Sequence, residues 1–198
     1  MNTIKKKVNK IILALTSVGI VILLMFPASL SASHFRYGTM SWDIDSDNGT
    51  HVTIRLKLES GWKSGGGVSI NWGDGSSAET VATKTIYSGT YYIKEIGVQS
   101  SSEWTTGVTH TYPDNGTTEY LVYWSSGNRI SGIKNGLSNK KWRGETKVNI
   151  GGTYDGNVSP VSAVPPIVKV QDNTTDNFMY QVVATDANGD NLSYRWGT

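Results

Sequence analysis

The stretch Val68–Ser77 reads VSINWGDGSS, and it decides how the rest of the chain is interpreted. Apolar and polar residues alternate over Val68–Trp72, which predicts a short, half-buried β-strand. The alternation stops at Gly73, where the sequence Gly-Asp-Gly begins. Glycine adopts positive φ without steric cost, and an aspartate side chain accepts hydrogen bonds from the backbone that follows it. We therefore predict a tight turn directly after the strand.

A glycine-rich break after a strand is also a feature of phosphate-binding loops. Such a loop requires a Gly-Lys-Ser/Thr sequence and a helix after it. Here Gly75 is followed by Ser76-Ser77 and then by strand-like sequence. The missing lysine and the missing helix argue against a phosphate site.

Short strands separated by turn residues account for most of the chain after residue 33. The clearest is His51–Leu58, where Val52, Ile54, Leu56 and Leu58 alternate with polar residues. Further strands are predicted over Met40–Asp45, Thr80–Ile86, Tyr91–Val98, Val108–Tyr112, Glu119–Trp124 and Lys147–Ile150. Many short strands without a helical period predict an all-β fold, an antiparallel sandwich.

The turn and two later segments resemble the polycystic-kidney-disease-type (PKD) repeat. Asn71–Ser76 supplies a Gly-Asp-Gly turn, Thr109–Tyr112 contains His-Thr-Tyr, and an alternating strand follows over Thr118–Trp124. PKD repeats are immunoglobulin-like (Ig-like) β-sandwiches of extracellular proteins, where they serve as adhesion or ligand-binding spacers. More than 30 residues separate the two motifs here, more than in a PKD repeat. The resemblance therefore implies an elaborated relative.

A second resemblance rests on Ser33–Arg36, on Gly61-Trp62 and on Ser159–Val170. These segments are similar to a family of secreted proteins of uncharacterised function that begin with Ser-His-Phe-Arg-Gly. Tyr37 stands before the glycine in this chain. The resemblance implies export and this architecture, and it implies no particular chemistry.

Residues 1–33 have the plan of a secretory signal peptide. Four lysines precede residue 11, Ile11–Phe26 is apolar or small, and mostly small residues follow up to Ser33. Cleavage before His34 is predicted. An uncleaved anchor is the alternative, although the apolar run falls short of the roughly 20 residues that span a membrane. No later segment is long and apolar enough to span, so we expect no membrane span in the mature chain.

The composition of the exported part narrows the classes of function. The chain has no cysteine, which excludes a thiol nucleophile and a cysteine-based zinc site. The 18 basic residues fall to 14 when the four lysines of the signal are set aside, and against 16 acidic residues the net charge becomes −2. The pI of 8.7 therefore describes the precursor. No overall basic excess argues for nucleic acid as a partner.

Three regions are predicted after the signal. Residues 34–152 form the elaborated PKD/Ig-like sandwich, and residues 153–166, rich in Gly, Asn, Ser and Pro, form a linker. Residues 167–198 are the truncated start of a second Ig-like or cadherin-like repeat, because three strands do not close a sandwich. Those three strands are predicted over Ile167–Val170, Phe178–Thr185 and Leu192–Trp196.

Two clusters of oxygen-bearing side chains are candidate calcium sites, which makes calcium the candidate cofactor. The first consists of Asp43, Asp45 and Asp47, and the second of Asp186, Asn188 and Asp190. The first lacks the bidentate glutamate of an EF-hand loop, and its alternation also fits the solvent face of a strand. The second is also explained as a tight Asn-Gly turn without an ion.

A copper site is the enzymatic alternative. A mature chain that begins with His34 could hold copper through its amine and imidazole, with His51 or His110 as the partner. Secreted polysaccharide monooxygenases use that arrangement on an Ig-like sandwich. No spacing supports the site here, and His110 is already explained by the PKD-type segment. The glutamates are scattered without a pairing that suits glycoside hydrolysis, and no hydrolase motif is present. We predict that the protein is not an enzyme.

The aromatic residues are the remaining candidates for ligand binding. Trp72 and Trp124 fall in predicted strands and are predicted to be core. Trp62, Trp104 and Trp142 fall in predicted Gly/Ser- or Lys-rich loops, and they are the candidate ligand-binding residues because exposed indoles stack on sugars or anchor interfaces. The alternative is that long loops fold back and bury them.

These observations predict a secreted or cell-surface binding and adhesion module. Loops on a β-sandwich would recognise an extracellular carbohydrate or protein. Neighbouring repeats of a longer chain are further expected partners. A copper-dependent polysaccharide monooxygenase and a purely structural repeat are the alternatives.

Overall fold

A computed structural model describes residues 34–116, 118–127, 129–133, 140–164 and 181–195. The predicted signal peptide, the predicted strand Ile167–Val170, residues 178–180 and Trp196 lie outside these described residues. The same holds for the last two residues of the predicted linker.

The described residues confirm the all-β prediction. Nine strands follow one another from residue 35 to residue 150, and two short ones come later. They are β1 Phe35–Asp47, β2 His51–Trp62, β3 Val68–Ile70, β4 Glu79–Ser88, β5 Tyr92–Gln99, β6 Trp104–Thr106, β7 Val108–Pro113, β8 Thr118–Ser126, β9 Trp142–Ile150, β10 Val161–Ser162 and β11 Ala184–Thr185. A 3₁₀ turn lies at Gly152–Tyr154.

Strand β2 organises the larger sheet. It pairs with β1 from Val52 to Trp62, and the tight turn that joins them has Gly49 at φ 76°. On its other edge β2 changes partner: its first half pairs with β7, and its last four residues pair with β5. The sheet continues from β5 to β4 and β3, and β6 pairs with β5. All these pairings are antiparallel.

Strands β8 and β9 form a second antiparallel ladder of nine residue pairs. Asn71, directly after β3, joins this ladder through two backbone hydrogen bonds with Tyr123, of 2.8 and 3.0 Å. Strand β4 starts beside β3 and continues beside β5. This curled antiparallel arrangement is consistent with a β-sandwich.

The core lies between these ladders and follows the alternation of the strands. The predicted inward set of β2, with Val52, Ile54, Leu56 and Leu58, is buried as expected. Val68 and Ile70 of the opening stretch are buried as well. Trp72 and Trp124, predicted as core, are 1% and 2% exposed.

Two local predictions were wrong, and one strand was not predicted. Trp62 was expected to lie in a loop, but β2 continues to Trp62 because it keeps pairing with β5. The lysine-rich stretch before Lys147 was expected to be loop, but β9 begins at Trp142 because its ladder with β8 extends to Ser126. Strand β6 was not predicted, since three residues give no period.

The C-terminal region differs most from expectation. Val161–Ser162, within the predicted linker, forms a two-residue ladder with Ala184–Thr185. No strand is present over the described residues 192–195, so the predicted strand Leu192–Trp196 is wrong there. The predicted turn after Thr185 is present, with Gly189 at φ 79°.

Candidate functional site

The Gly-Asp-Gly turn follows β3 and contacts β7. Gly73 and Gly75 adopt φ of 78° and 87°, as a tight turn requires. The carboxylate of Asp74 accepts a hydrogen bond from the backbone N–H of Ser76 at 2.9 Å and contacts Nε2 of His110 on β7 at 2.8 Å. The imidazole of His110 stacks on Trp72 with ring centroids 4.4 Å apart. These contacts are internal, and they explain the turn and the histidine without a bound phosphate.

The electrostatics of Asp74 agree with a structural role. Burial alone would raise the pKa of this carboxyl. Hydrogen bonds from Ser76 and His110, with the electrostatic attraction of His110, outweigh burial and lower the pKa of Asp74 to about 2. The carboxylate therefore stays ionised at every pH where the protein is expected to work.

Tyr112 continues the same cluster into the core. Its hydroxyl donates a hydrogen bond to the carbonyl oxygen of Trp72 at 2.9 Å, and its ring stacks on Tyr120. Burial, followed by the negative charge of Asp74, raises the pKa of Tyr112 far above its usual value. The phenol therefore remains a neutral donor that ties β7 to the end of β3.

Two of the three candidate ligand-binding tryptophans are buried. Trp62 is 1% exposed and Trp142 is 3% exposed. Phe35 stacks on Trp142 with centroids 3.7 Å apart, and Trp62 and Trp124 contact the same pair edge-on. The expectation that Trp62 and Trp142 lie in exposed loops was wrong, because both residues end or begin paired strands. The alternative, burial, is what the structure shows.

Trp104 is the one candidate of the three that lies at the surface. It is half-buried on β6, and its indole Nε1 donates a 2.6 Å hydrogen bond to the carboxylate of Glu95 on β5. The ammonium of Lys84 lies 6.0 Å from its ring centroid. A Cβ on Gly97 would lie 2.7 Å from the indole, so glycine is required for the ring to rest on β5.

A groove of about 160 Å³ opens on the outer face of the sheet, and Glu95, which accepts the hydrogen bond from Trp104, is one of its lining residues, although Trp104 itself is not. Hydroxyl and carboxylate side chains supply most of its polar lining. The lining residues are Thr39, Ser41, Lys57, Leu58, Glu59, Glu95 and Thr106. Strands β1, β2, β5 and β6 each contribute to it.

Glu59 and Glu95 face each other across the β2–β5 ladder. Burial, and then the negative charge of Glu95, raises the pKa of Glu59. Like charges on directly opposed residues destabilise a sheet. No spacing in the sequence predicted this pair, because the two residues meet only through strand pairing.

The first candidate calcium cluster is divided among other partners. Asp43 and Asp45 lie on one face of β1, as the alternation predicted, and pair with Lys57 at 2.8 Å and Arg55 at 2.6 Å. Asp47 instead accepts a hydrogen bond from the N–H of Gly49. The basic residues of β2 therefore hold two of the three carboxylates, and calcium binding here stays a prediction.

The second cluster forms a local turn. A carboxylate oxygen of Asp186 accepts hydrogen bonds from the N–H groups of Asn188 and Asp190. The side chain of Asn188 bonds the backbone of Gly156 and Val158, which ties this turn to the segment after β9. No group of three or more His, Asp or Glu side chains placed to hold a metal occurs in the described ranges.

His34 lies far from both candidate partner histidines of the copper hypothesis. The carbonyl of His34 accepts a hydrogen bond from the N–H of Lys63, beyond the end of β2, whereas His51 begins that strand. A strand of this length separates its ends by about 36 Å at roughly 3.3 Å per residue. His110 is opposite Ile54, near the same end as His51. The predicted copper arrangement is therefore not assembled among these histidines.

The structure has no helix, over the residues it describes, that is long and apolar enough to cross a membrane.

Comparisons with known proteins agree on one group. A family model described as "Integrin beta-like protein A-E, N-terminal" matches residues 36–151. Integrin beta-like protein C of Dictyostelium discoideum is 33% identical over 183 residues, which cover 81% of this chain and 9% of that protein. Integrin beta-like protein B of the same organism is 30% identical over 191 residues, 88% of this chain and 9% of that protein. The chain thus spans about 9% of the length of these curated relatives. No solved structure matches.

Proposed function

The chain belongs to the family of integrin beta-like protein A–E N-terminal regions, and on that premise we propose that it is a secreted or cell-surface recognition module of the adhesion type. The names of the relatives support this class of function. They are much longer proteins, so the module would be one part of an adhesion protein. The antiparallel β-fold, which presents an outer sheet face to solvent, suits such a role.

The observation that carries the proposal is the groove beside Trp104. An indole next to hydroxyl and carboxylate side chains is a combination that binds sugars: the ring covers the apolar face of a pyranose, and the polar groups bond its hydroxyls. The cores of protein–protein interfaces are depleted in charged residues. The charged lining of this groove therefore favours a carbohydrate over a protein as the ligand.

The domain plan is part of the same proposal. Residues 1–33 would be a signal peptide, 34–152 the recognition module, 153–166 a linker and 167–198 the start of a further repeat. The hydrogen bond between Asp74 and His110, and that between Tyr112 and the backbone of Trp72, support a PKD/Ig-like origin for the module. Both involve the residues on which that resemblance rests.

The experiment is binding of the protein to an array of neutral and uronate-containing glycans. Trp104→Ala should remove binding, and Glu95→Gln, which keeps an oxygen to accept from the indole, should weaken it. Tyr194→Ala is the matched control, because it removes an exposed aromatic side chain elsewhere. Failure of every glycan to bind, or equal binding by Trp104→Ala, would contradict the carbohydrate proposal. Binding of proteins but not glycans would point to the protein alternative.

A further inference from the structure

The beginning of the described chain, the end of β2 and the β8–β9 connection meet at one end of the sandwich. The N–H of Lys63 donates to the carbonyl of His34 at 2.9 Å. Phe35 forms a bridge with Arg129, and the N–H of Arg129 in turn donates to the carbonyl of Lys140 at 3.1 Å. Three segments that are distant in sequence are therefore held together by their backbones.

A cluster of buried and partly buried aromatic rings fixes these segments. Phe35, Trp62 and Trp142 each belong to one of them, and their rings pack against one another and against Trp124. Stacked and edge-on aromatic pairs contribute to stability beyond their buried area. The polar residues next to these rings are consequently presented from a rigid base.

Each of these three rings has a cation next to it in the sequence. Arg36, Lys63 and Lys141 follow or precede the rings of Phe35, Trp62 and Trp142, and all three cations are exposed. Arg36 is the extra residue of a bulge in the β1–β2 ladder. Bulges redirect a side chain out of the regular alternation of a strand.

We call the set Arg36, Lys63, Arg129, Lys140 and Lys141 the basic end. No acidic residue occurs in the sequence over residues 34–42, 60–73 or 120–144. None of the five cations has an ion-pair partner within the described ranges.

Several cations elsewhere on the sandwich are paired with carboxylates. Examples are Lys57 with Asp43 and Lys147 with Glu119, each at 2.8 Å. Residues 34–198 carry a net charge of −2, with 14 basic and 16 acidic residues. The basic end is therefore a local excess of positive charge on a chain that is acidic overall, which creates a field for an anionic partner.

We propose that the basic end binds a linear acidic polysaccharide, through its sulfate or carboxylate groups. This surface is separate from the groove beside Trp104, and the inference does not depend on that groove binding a sugar. Single-stranded nucleic acids bind where exposed aromatic faces lie between the cations. Here the aromatic rings Trp62 and Trp142 are buried beneath them, which removes the stacking surface.

An anionic membrane is also a poorer fit. Peripheral membrane binding combines cations with exposed apolar side chains that enter the lipid boundary. The large apolar side chains that are exposed in the described part of the chain all lie on other segments. A linear acidic polysaccharide can bind through charge alone, without exposed apolar or aromatic side chains.

The test is binding of the protein to immobilised dextran sulfate and polygalacturonate, with uncharged dextran as the reference surface. Binding should fall steeply as sodium chloride is raised, because screening and counterion release oppose it. Lys140→Gln with Lys141→Gln should weaken binding roughly tenfold to thirtyfold, because each cation near an anionic surface raises the affinity by about tenfold or less. Adding Lys63→Gln should weaken it further.

Arg55→Gln with Lys147→Gln is the matched control. It changes the net charge equally but removes cations that already have carboxylate partners and that do not line the groove beside Trp104, and it should change affinity less than about threefold if charge position decides. Trp104→Ala should bind dextran sulfate as the wild type does, so failure here and failure of the groove proposal are distinguishable. Equal losses in both double variants would overturn the proposal. So would tighter binding to phosphatidylserine vesicles or to a single-stranded oligonucleotide than to either polysaccharide.

Discussion

Replacing Gly73 by alanine should destabilise the protein far more than the same change at Gly75. Both glycines have positive φ, so each alanine costs about 1 to 2 kcal/mol in backbone strain. They differ in what a Cβ would meet. At Gly75 it meets nothing within 4 Å, whereas at Gly73 it would lie 2.5 Å from the carbonyl oxygen of Leu121.

The clash at Gly73 involves the backbone of β8, which cannot yield cheaply. Leu121 is two residues before Tyr123, whose two backbone hydrogen bonds to Asn71 join the two ladders. Loss of both bonds adds about 1 to 3 kcal/mol to the strain. The total for Gly73→Ala is about 2 to 5 kcal/mol, out of a typical stability of about 5 to 15 kcal/mol.

The assay is urea unfolding of wild type, Gly73→Ala and Gly75→Ala, followed by tryptophan fluorescence and by circular dichroism. We expect the midpoint to fall in both variants, with Gly73→Ala the less stable by at least about 1 kcal/mol. If the two variants are equally stable, the close approach of the turn to β8 does not exist, and the reasoning fails.

Three further changes test the contacts around this core. Asp74→Asn should lower stability by about 1 to 2 kcal/mol at pH 6. Because the pKa of Asp74 is depressed to about 2, the difference in stability from wild type should shrink as the pH falls from 4 towards 2. A difference that is constant across urea titrations at pH 6, 4 and 2.5 would refute the assigned role. Trp142→Ala should cost about 3 to 5 kcal/mol in chemical unfolding, as expected for a buried indole, and a loss below about 1 kcal/mol would mean that the ring is exposed. Ser159→Ala removes the hydroxyl that accepts a 2.7 Å hydrogen bond from the buried N–H of Trp42, and should lower the unfolding free energy by about 1 to 3 kcal/mol; unchanged thermal and urea midpoints would contradict it.

Local sequence rules were sufficient for the parts of the fold that depend on alternation and turn chemistry. The strict alternation of β2 predicted its buried face because the side-chain period of a strand is two. The turn at Gly73 was predictable because glycine and aspartate have specific backbone preferences. Most of the predicted strands after residue 39 are present, with ends shifted by a few residues.

The rest depends on contacts between segments that are distant in sequence. Trp62 and Trp142 were expected in loops because their neighbours are glycines, serines and lysines, and only the pairing of β2 with β5 and of β8 with β9 reveals that they are buried. The change of partner along β2 has no local signal. A periodic pattern reports one buried face, and it does not report which strand lies at each edge.

The candidate site was also predictable from the sequence only in part. Trp104 was singled out by composition, but the Glu59–Glu95 pair beside it arises from strand register alone. The basic end likewise combines cations from three segments. The acid-free stretches around residues 63 and 130 are visible in the sequence, and only the backbone hydrogen bonds place them together.

The central claim is that the outer face around Trp104 is where the module recognises its ligand. The most direct measurement is nuclear magnetic resonance of the seven indole N–H groups during titration with the glycan that the array identifies. We predict that the Trp104 signal shifts in proportion to binding, while the signals of buried Trp62 and Trp142 stay in place. A titration that moves other indole signals and leaves Trp104 unchanged would contradict the claim.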